Sequence, residues 1–240
     1  MSAAALLGII AAAATLLGAF AVASRAQRGL HVIELFVAFA AGFMLALALV
    51  AAVPEAIAKH PASAAPVILV GYLLVHFSQH TLAPHFHFGE ETHKLSKRAS
   101  QAALGGLLLH TFFDGVAIAS GFLVDATLGV LFFFGIVLHK LPEGVTVASL
   151  VLAAGGTVRA SYIAAALMGL ATILGVLLTG HVGFLTEYGL ALSAGVTIYV
   201  AASDLVPEFQ HKRSWSITIA FFAGAAAFVL SHWVLERALG

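Results

Sequence analysis

The residues of this chain that could do chemistry are concentrated in two short stretches built on one pattern. His110-Thr111-Phe112-Phe113-Asp114-Gly115 begins one, and His139-Lys140-Leu141-Pro142-Glu143-Gly144 begins the other. Each has a histidine, a carboxylate four residues later, then Gly-Val, and closes on Ala-Ser (Ala119-Ser120 and Ala148-Ser149). On a helix, positions i and i+4 lie on one face, one turn apart. Each stretch therefore presents an imidazole and a carboxylate side by side. Two such helices facing one another would surround a point with two nitrogens and two carboxylates, which is a divalent-metal site. A neutral hydrogen-bonded network is the alternative for His110, Asp114, His139 and Glu143. Its weakness is that two carboxylates deep in apolar surroundings need counter-charge, and Lys140 alone supplies one.

The surroundings are apolar. Of 240 residues, 61% are hydrophobic and 9% charged, against about 45–50% and about 25% in soluble domains. The composition is that of an all-α, multi-span integral membrane protein with the lipid bilayer as its solvent. Formal net charge is zero, so no nucleic-acid partner is indicated. Cysteine is absent, which excludes disulfides and thiolate metal sites; any site must use His, Asp, Glu, Met or hydroxyls. A span needs roughly 20 apolar residues, and eight runs qualify: about 3–23, 33–53, 64–83, 101–123, 127–152, 160–180, 184–206 and 215–235. The first has no charged stretch before it, while Arg25 and Arg28 follow it, so it reads as a retained span rather than a leader.

Basic residues lie in the loops after the first, third, fifth and seventh spans: Arg25 and Arg28, then Lys94, Lys97 and Arg98, then Arg159, then Lys212 and Arg213. The other side carries only Lys59 and Arg237. The positive-inside rule then puts both termini on the extracytoplasmic side. The segment 84–100 is expected to be a cytoplasmic loop, with His85, His87, Glu90, Glu91 and His93 either catching metal or simply solvated.

Two further stretches repeat. Ala41-Gly42 stands ahead of Pro54-Glu55 in the second span as Ala194-Gly195 stands ahead of Pro207-Glu208 in the seventh. These spans run in opposite directions, as do the fourth and fifth. Matching motifs on opposed helices mark inverted repeats, here three spans, a central pair and three more, as in secondary transporters with a midplane site. Ionisable groups inside spans are costly and read as functional. They are His110, Asp114, His139, Lys140, Glu143 and Asp204, with His76 and His80 toward the inner end of the third span. Glu55, Glu208 and His232 lie near span ends, where water is close. Pro142 removes a backbone donor within its motif and frees a carbonyl near residue 138, with a kink expected.

At these residues the chain resembles the ZIP (Zrt/Irt-like) family of divalent-metal transporters, of prokaryotic type. The resemblance rests on the H-x-x-x-D-G pattern from His110, the H-x-x-P-E-G pattern from His139, the Pro-Glu ends of spans two and seven, and the histidine-bearing 84–100 segment. It implies the ZIP fold and uptake of zinc, iron, manganese, cobalt or cadmium toward the cytoplasm across a bacterial inner membrane. It implies a homodimer, and an elevator movement of spans 1, 4, 5 and 6 (about 3–23 and 101–180) against spans 2, 3, 7 and 8 (about 33–83 and 184–235). It assigns His110, Asp114, His139 and Glu143 to the transport site, offers Met44 as a thioether ligand, and makes Asp204 an exit carboxylate acting with His76 or His80. Members with two metals carry further ligands where this chain has Thr111, Lys140 and Thr172, so a single transported ion is expected, with no resident cofactor. The rival reading from another class is an intramembrane zinc hydrolase with a metal-bound water as nucleophile. A third is a proton-coupled carrier of an organic solute.

Overall fold

The computed structural model describes residues 2–23, 30–80, 97–212 and 214–239. The described residues form helices only: α1 (Ala3–Ala23), α2 (Leu30–Ala46), α3 (Val53–Lys59), α4 (Ala64–His80), α5 (Lys97–Val124), α6 (Ala126–Ala153), α7 (Val158–Thr179), α8 (Gly183–Tyr199), α9 (Pro207–Gln210) and α10 (Trp215–Leu239). Single π-helical turns, Leu47–Ala52 and Val200–Leu205, join α2 to α3 and α8 to α9. Counting each joined pair as one rod gives the eight expected runs. Seven are long and apolar enough to cross a membrane; α4, with 17 residues, is shorter.

One expectation needs correction. Residues 97–100 are the first turn of α5 rather than loop, since Lys97, Arg98, Ala99 and Gln101 are good helix formers. The rest of the loop, 84–96, and residues 81–83 of the expected third span lie outside the described residues. α6 is helical through Pro142, from Ala126 to Ala153.

The two π-turns occupy equivalent places, each directly before a Val-Pro-Glu. Proline offers no N–H to the carbonyl four residues back and its ring crowds that carbonyl. One residue of extra helix relieves the conflict, and the N–H of Val53 and of Val206 reaches back to Ala48 and Ala201 instead.

Helix packing repeats the same symmetry. Gly115 of α5 lies on the Thr172 carbonyl of α7, and Gly175 of α7 lies on the Phe112 carbonyl of α5. Gly144 of α6 lies on the Thr15 carbonyl of α1, and Gly18 of α1 on the Leu141 carbonyl of α6. The same reciprocal seams join α2 to α10 (Gly42 and Gly224) and α4 to α8 (Gly71 and Gly195). A side-chain carbon on any of these glycines would collide with backbone, so the helices meet at backbone distance. Exchanging spans 1 with 6, 2 with 7, 3 with 8 and 4 with 5 turns each seam into another.

α5 and α6 form the central pair. Asp125 alone separates them; its side chain accepts from the Leu128 N–H at 2.8 Å and caps α6. Gly121 and Gly129 let the two helices close beside this turn. So tight a hairpin forces the helices antiparallel and side by side. His110 lies 15 residues before Asp125 and His139 lies 14 after it, so the two histidines stand at one depth.

Candidate metal centre

The hairpin brings the two motifs face to face. The His110 and His139 rings stack at 5.6 Å between centroids, 19° from parallel. Their Nε2 atoms converge on one carboxylate oxygen, Oδ2 of Asp114, at 3.4 Å and 3.3 Å. One ligand atom from each of the three residues falls within 4.8 Å of the others. All three side chains are buried.

The hydrogen bonds of His139 bear on its tautomer. Its Nδ1 lies 3.2 Å from the carbonyl oxygen of Gly135, one turn back on α6. A carbonyl only accepts, so Nδ1 is the donor, and a neutral ring then turns a bare lone pair at Nε2 toward Asp114. A lone pair facing a carboxylate repels it unless a cation or a proton lies between. Neither ring nitrogen of His110 has a hydrogen-bond partner, although the residue is buried. Buried orphaned nitrogens are uncommon and call for a ligand. Two imidazole nitrogens and a carboxylate oxygen form a donor set for a borderline divalent ion, with a second shell already supplied by Gly135.

Glu143 stands beside this trio in a different role. Its Oε2 accepts from Lys140 Nζ at 2.5 Å, and its Oε1 accepts from Thr111 Oγ1 at 2.8 Å. Lys140 also reaches Asp114 Oδ2 at 2.7 Å, so the ammonium bridges the two carboxylates. It is fully buried, at 0% exposure. Removing such a cation would leave two buried carboxylates facing each other uncompensated.

The remaining expected residues are dispersed around the centre. Met44 packs beside Gly135, in an apolar cluster with Phe113, Val116 and Tyr199. Thr172 keeps its hydroxyl on its own helix, donating to the Met168 carbonyl at 3.4 Å, and uses its carbonyl to seat Gly115. Asp204, half-buried within the second π-turn, lies in the electrostatic reach of His110 and Glu143 and beside Gln79. His76 stacks at 6.3 Å on Tyr72 and meets Tyr199 edge-on at 5.9 Å. The side chain of His80 lies outside the described residues. Sequence reasoning missed two contributors, the Gly135 carbonyl and Gln79. A glycine one turn before His139 was the only trace of the first.

Comparison with known proteins agrees with this geometry. Residues 76–232 match the family model described as "ZIP Zinc transporter". The zinc transporter ZupT of Escherichia coli O7:K1 is 30% identical over 228 residues, covering 86% of this chain and 86% of that protein. Human zinc transporter ZIP6 is 30% identical over 138 residues, 54% of this chain, and mouse ZIP10 is 31% identical over 107 residues, 43% of this chain. The chain covers only 18% of ZIP6 and 13% of ZIP10, both much longer proteins. The family consists of transporters, which removes the hydrolase reading. With its apolar spans, its opposed His–carboxylate turns and these likenesses, the chain is an integral membrane protein and belongs to the ZIP family.

Proposed function

We propose that this chain carries a divalent transition-metal ion, zinc first among those its ligands suit, across the membrane into the cytoplasm. The observation that carries the reading is the meeting of His110 Nε2, His139 Nε2 and Asp114 Oδ2, with the His139 tautomer held by Gly135. His110, Asp114 and His139 bind the ion, and Glu143 joins when the ion draws it from Lys140. The ammonium of Lys140, held against both carboxylates, stands where a second ion's charge would lie, so one ion is carried at a time. Asp204, with His76 or His80, receives the ion on the cytoplasmic side. Iron(II), manganese, cobalt and cadmium suit the same donors less well or equally.

The carrier works by alternating access, in which α1, α5, α6 and α7 move as one body against α2–α3, α4, α8–α9 and α10. The packing supports this division. Every reciprocal glycine seam joins helices of the same body. Across the boundary the approaches are looser: Gly189 of α8 faces the side chains of Ser120 and Val116, Gly135 of α6 faces those of Phe43, Met44 and Leu47, and a side-chain carbon on Gly106 of α5 would stand 3.2 Å from the Ser78 carbonyl of α4 rather than the roughly 2 Å of the seams. We assign the protein to a bacterial inner membrane, with extracytoplasmic termini and a homodimeric assembly. Uptake of zinc into proteoliposomes holding a metal-sensitive dye tests the reading. A silent parent protein overturns it. Metal found by elemental analysis in the purified protein counts against a proton-coupled carrier of organic solutes.

A further inference from the structure

Most buried hydroxyls here are satisfied within their own helix or at the metal centre. Ser78, Ser161, Thr172, Thr179 and Thr197 each donate to a carbonyl three or four residues back, and Thr111 donates to Glu143. That is the ordinary outcome in apolar surroundings. Ser120 and Ser193 depart from it. They are 3% and 0% exposed, and neither Oγ has a hydrogen-bond partner. Thr15 shares this condition, but it sits on α1 inside the seam with Gly144, within one body.

Ser120 and Ser193 occupy the boundary between the bodies. The Ser120 hydroxyl points at the bare face of Gly189, where an added side-chain carbon would strike it, and Val116 touches the same glycine. Ser193 is one turn further along α8 and shares that face. Ser120 lies six residues past Asp114 toward the hairpin turn, about 9 Å at the helical rise. Asp204 lies the other way, eleven residues past Ser193, about 16 Å. The two hydroxyls thus stand on the side of the metal centre opposite Asp204, on a seam closed by side chains rather than locked by backbone.

A buried hydroxyl without a partner loses its hydration and gains nothing in return. Its place on a sliding boundary is explained if the other position of the boundary wets it. We propose that Ser120 and Ser193 line the passage by which a hydrated divalent cation reaches the metal centre from the hairpin end of the molecule. As α5 shifts along α8, the hydroxyls come into water and take over hydrogen bonds from the ion's hydration shell. This rests on the transport reading above, and deepens it by assigning an entrance.

The chain contains no cysteine, so Ser120→Cys or Ser193→Cys introduces the sole thiol. Each is expected to react with a charged, membrane-impermeant methanethiosulfonate in intact cells but not in inside-out vesicles, and reaction is expected to block zinc uptake. Ala165→Cys, buried within one body against Ala19, Val147 and Met168, is expected to stay unreactive. Thiols that transport zinc yet react from neither side, or only from the Asp204 side, overturn the proposal. Should the cysteine variants fail to reach the membrane, the Ser120→Ala, Ser193→Ala pair decides. It is expected to slow uptake while the purified protein's zinc affinity holds, and undiminished uptake overturns the proposal. Failure of the parent chain to carry zinc is a separate result, and strikes the transport reading instead.

Discussion

His139 is held at both ends, by Gly135 through Nδ1 and by the approach of Asp114 to Nε2. On the proposed transport reading, substituting it removes a ligand whose orientation was fixed in advance. His139→Ala is expected to cut zinc uptake by about 100-fold or more, since disturbing even an outer-shell partner costs up to that much. Uptake and bound zinc are both to be measured, on protein shown to be inserted. Lys140 makes a second prediction. Lys140→Met leaves Asp114 and Glu143 facing each other, and losing one partner of a buried ion pair costs about 3–5 kcal/mol. Thermal unfolding in detergent should show that loss, with added zinc restoring much of it by supplying the missing positive charge. The sequence spacing displayed both His–carboxylate turns and the buried lysine. It did not display that Glu143 is engaged by Lys140 and Thr111 while Asp114 collects both imidazoles. The i,i+4 rule treats the two carboxylates alike, and only the relative rotation of α5 and α6 distinguishes them.

At the level of elements, the glycine seams are where the fold tolerates least. Gly144→Ala sets a methyl against the Thr15 carbonyl of α1, and Gly115→Ala sets one against the Thr172 carbonyl of α7. Each is expected to destabilise by about 1–3 kcal/mol or more through forced separation of backbones. Gly105→Ala, also in α5, meets nothing within 4 Å and should stabilise by about 0.5–1 kcal/mol through helix propensity. Thermal unfolding of the three variants side by side checks the contrast. The second and seventh spans were recognisable as a pair from their Pro-Glu ends. The first and sixth were not, although Ala14-Thr15-Leu16-Leu17-Gly18 and Ala171-Thr172-Ile173-Leu174-Gly175 take equivalent places against Gly144 and Gly115. Ala-Thr-Leu-Gly is common in any apolar helix, and its meaning appears only when a carbonyl is seen resting on the partner's glycine. The π-turns were likewise silent, because proline announces a disturbance in a helix without saying how the helix absorbs it.

For the whole molecule, binding needs unprotonated Nε2 atoms on His110 and His139. Protons compete with the ion for these nitrogens, so zinc uptake is expected to fall as external pH is lowered. Initial rates at matched free zinc check this, and rates that rise with acidity would contradict the ligand assignment. The fold class and the number of spans were legible from hydropathy alone, because lipid admits so few alternatives to helices. The four reciprocal glycine seams were not, since they reside in which helices touch through backbone.

The single-residue turn at Asp125 has a consequence for energetics. His110, Asp114, His139 and Glu143 all stand on the hairpin it closes, so in an alternating-access cycle the binding site is carried whole and is never reassembled. A site of unchanged composition has much the same affinity on whichever side it opens. Such a carrier has no built-in preference of direction: the metal gradient decides which way the ion goes. Vesicles loaded with zinc and diluted into zinc-free buffer should then empty through the same protein that filled them.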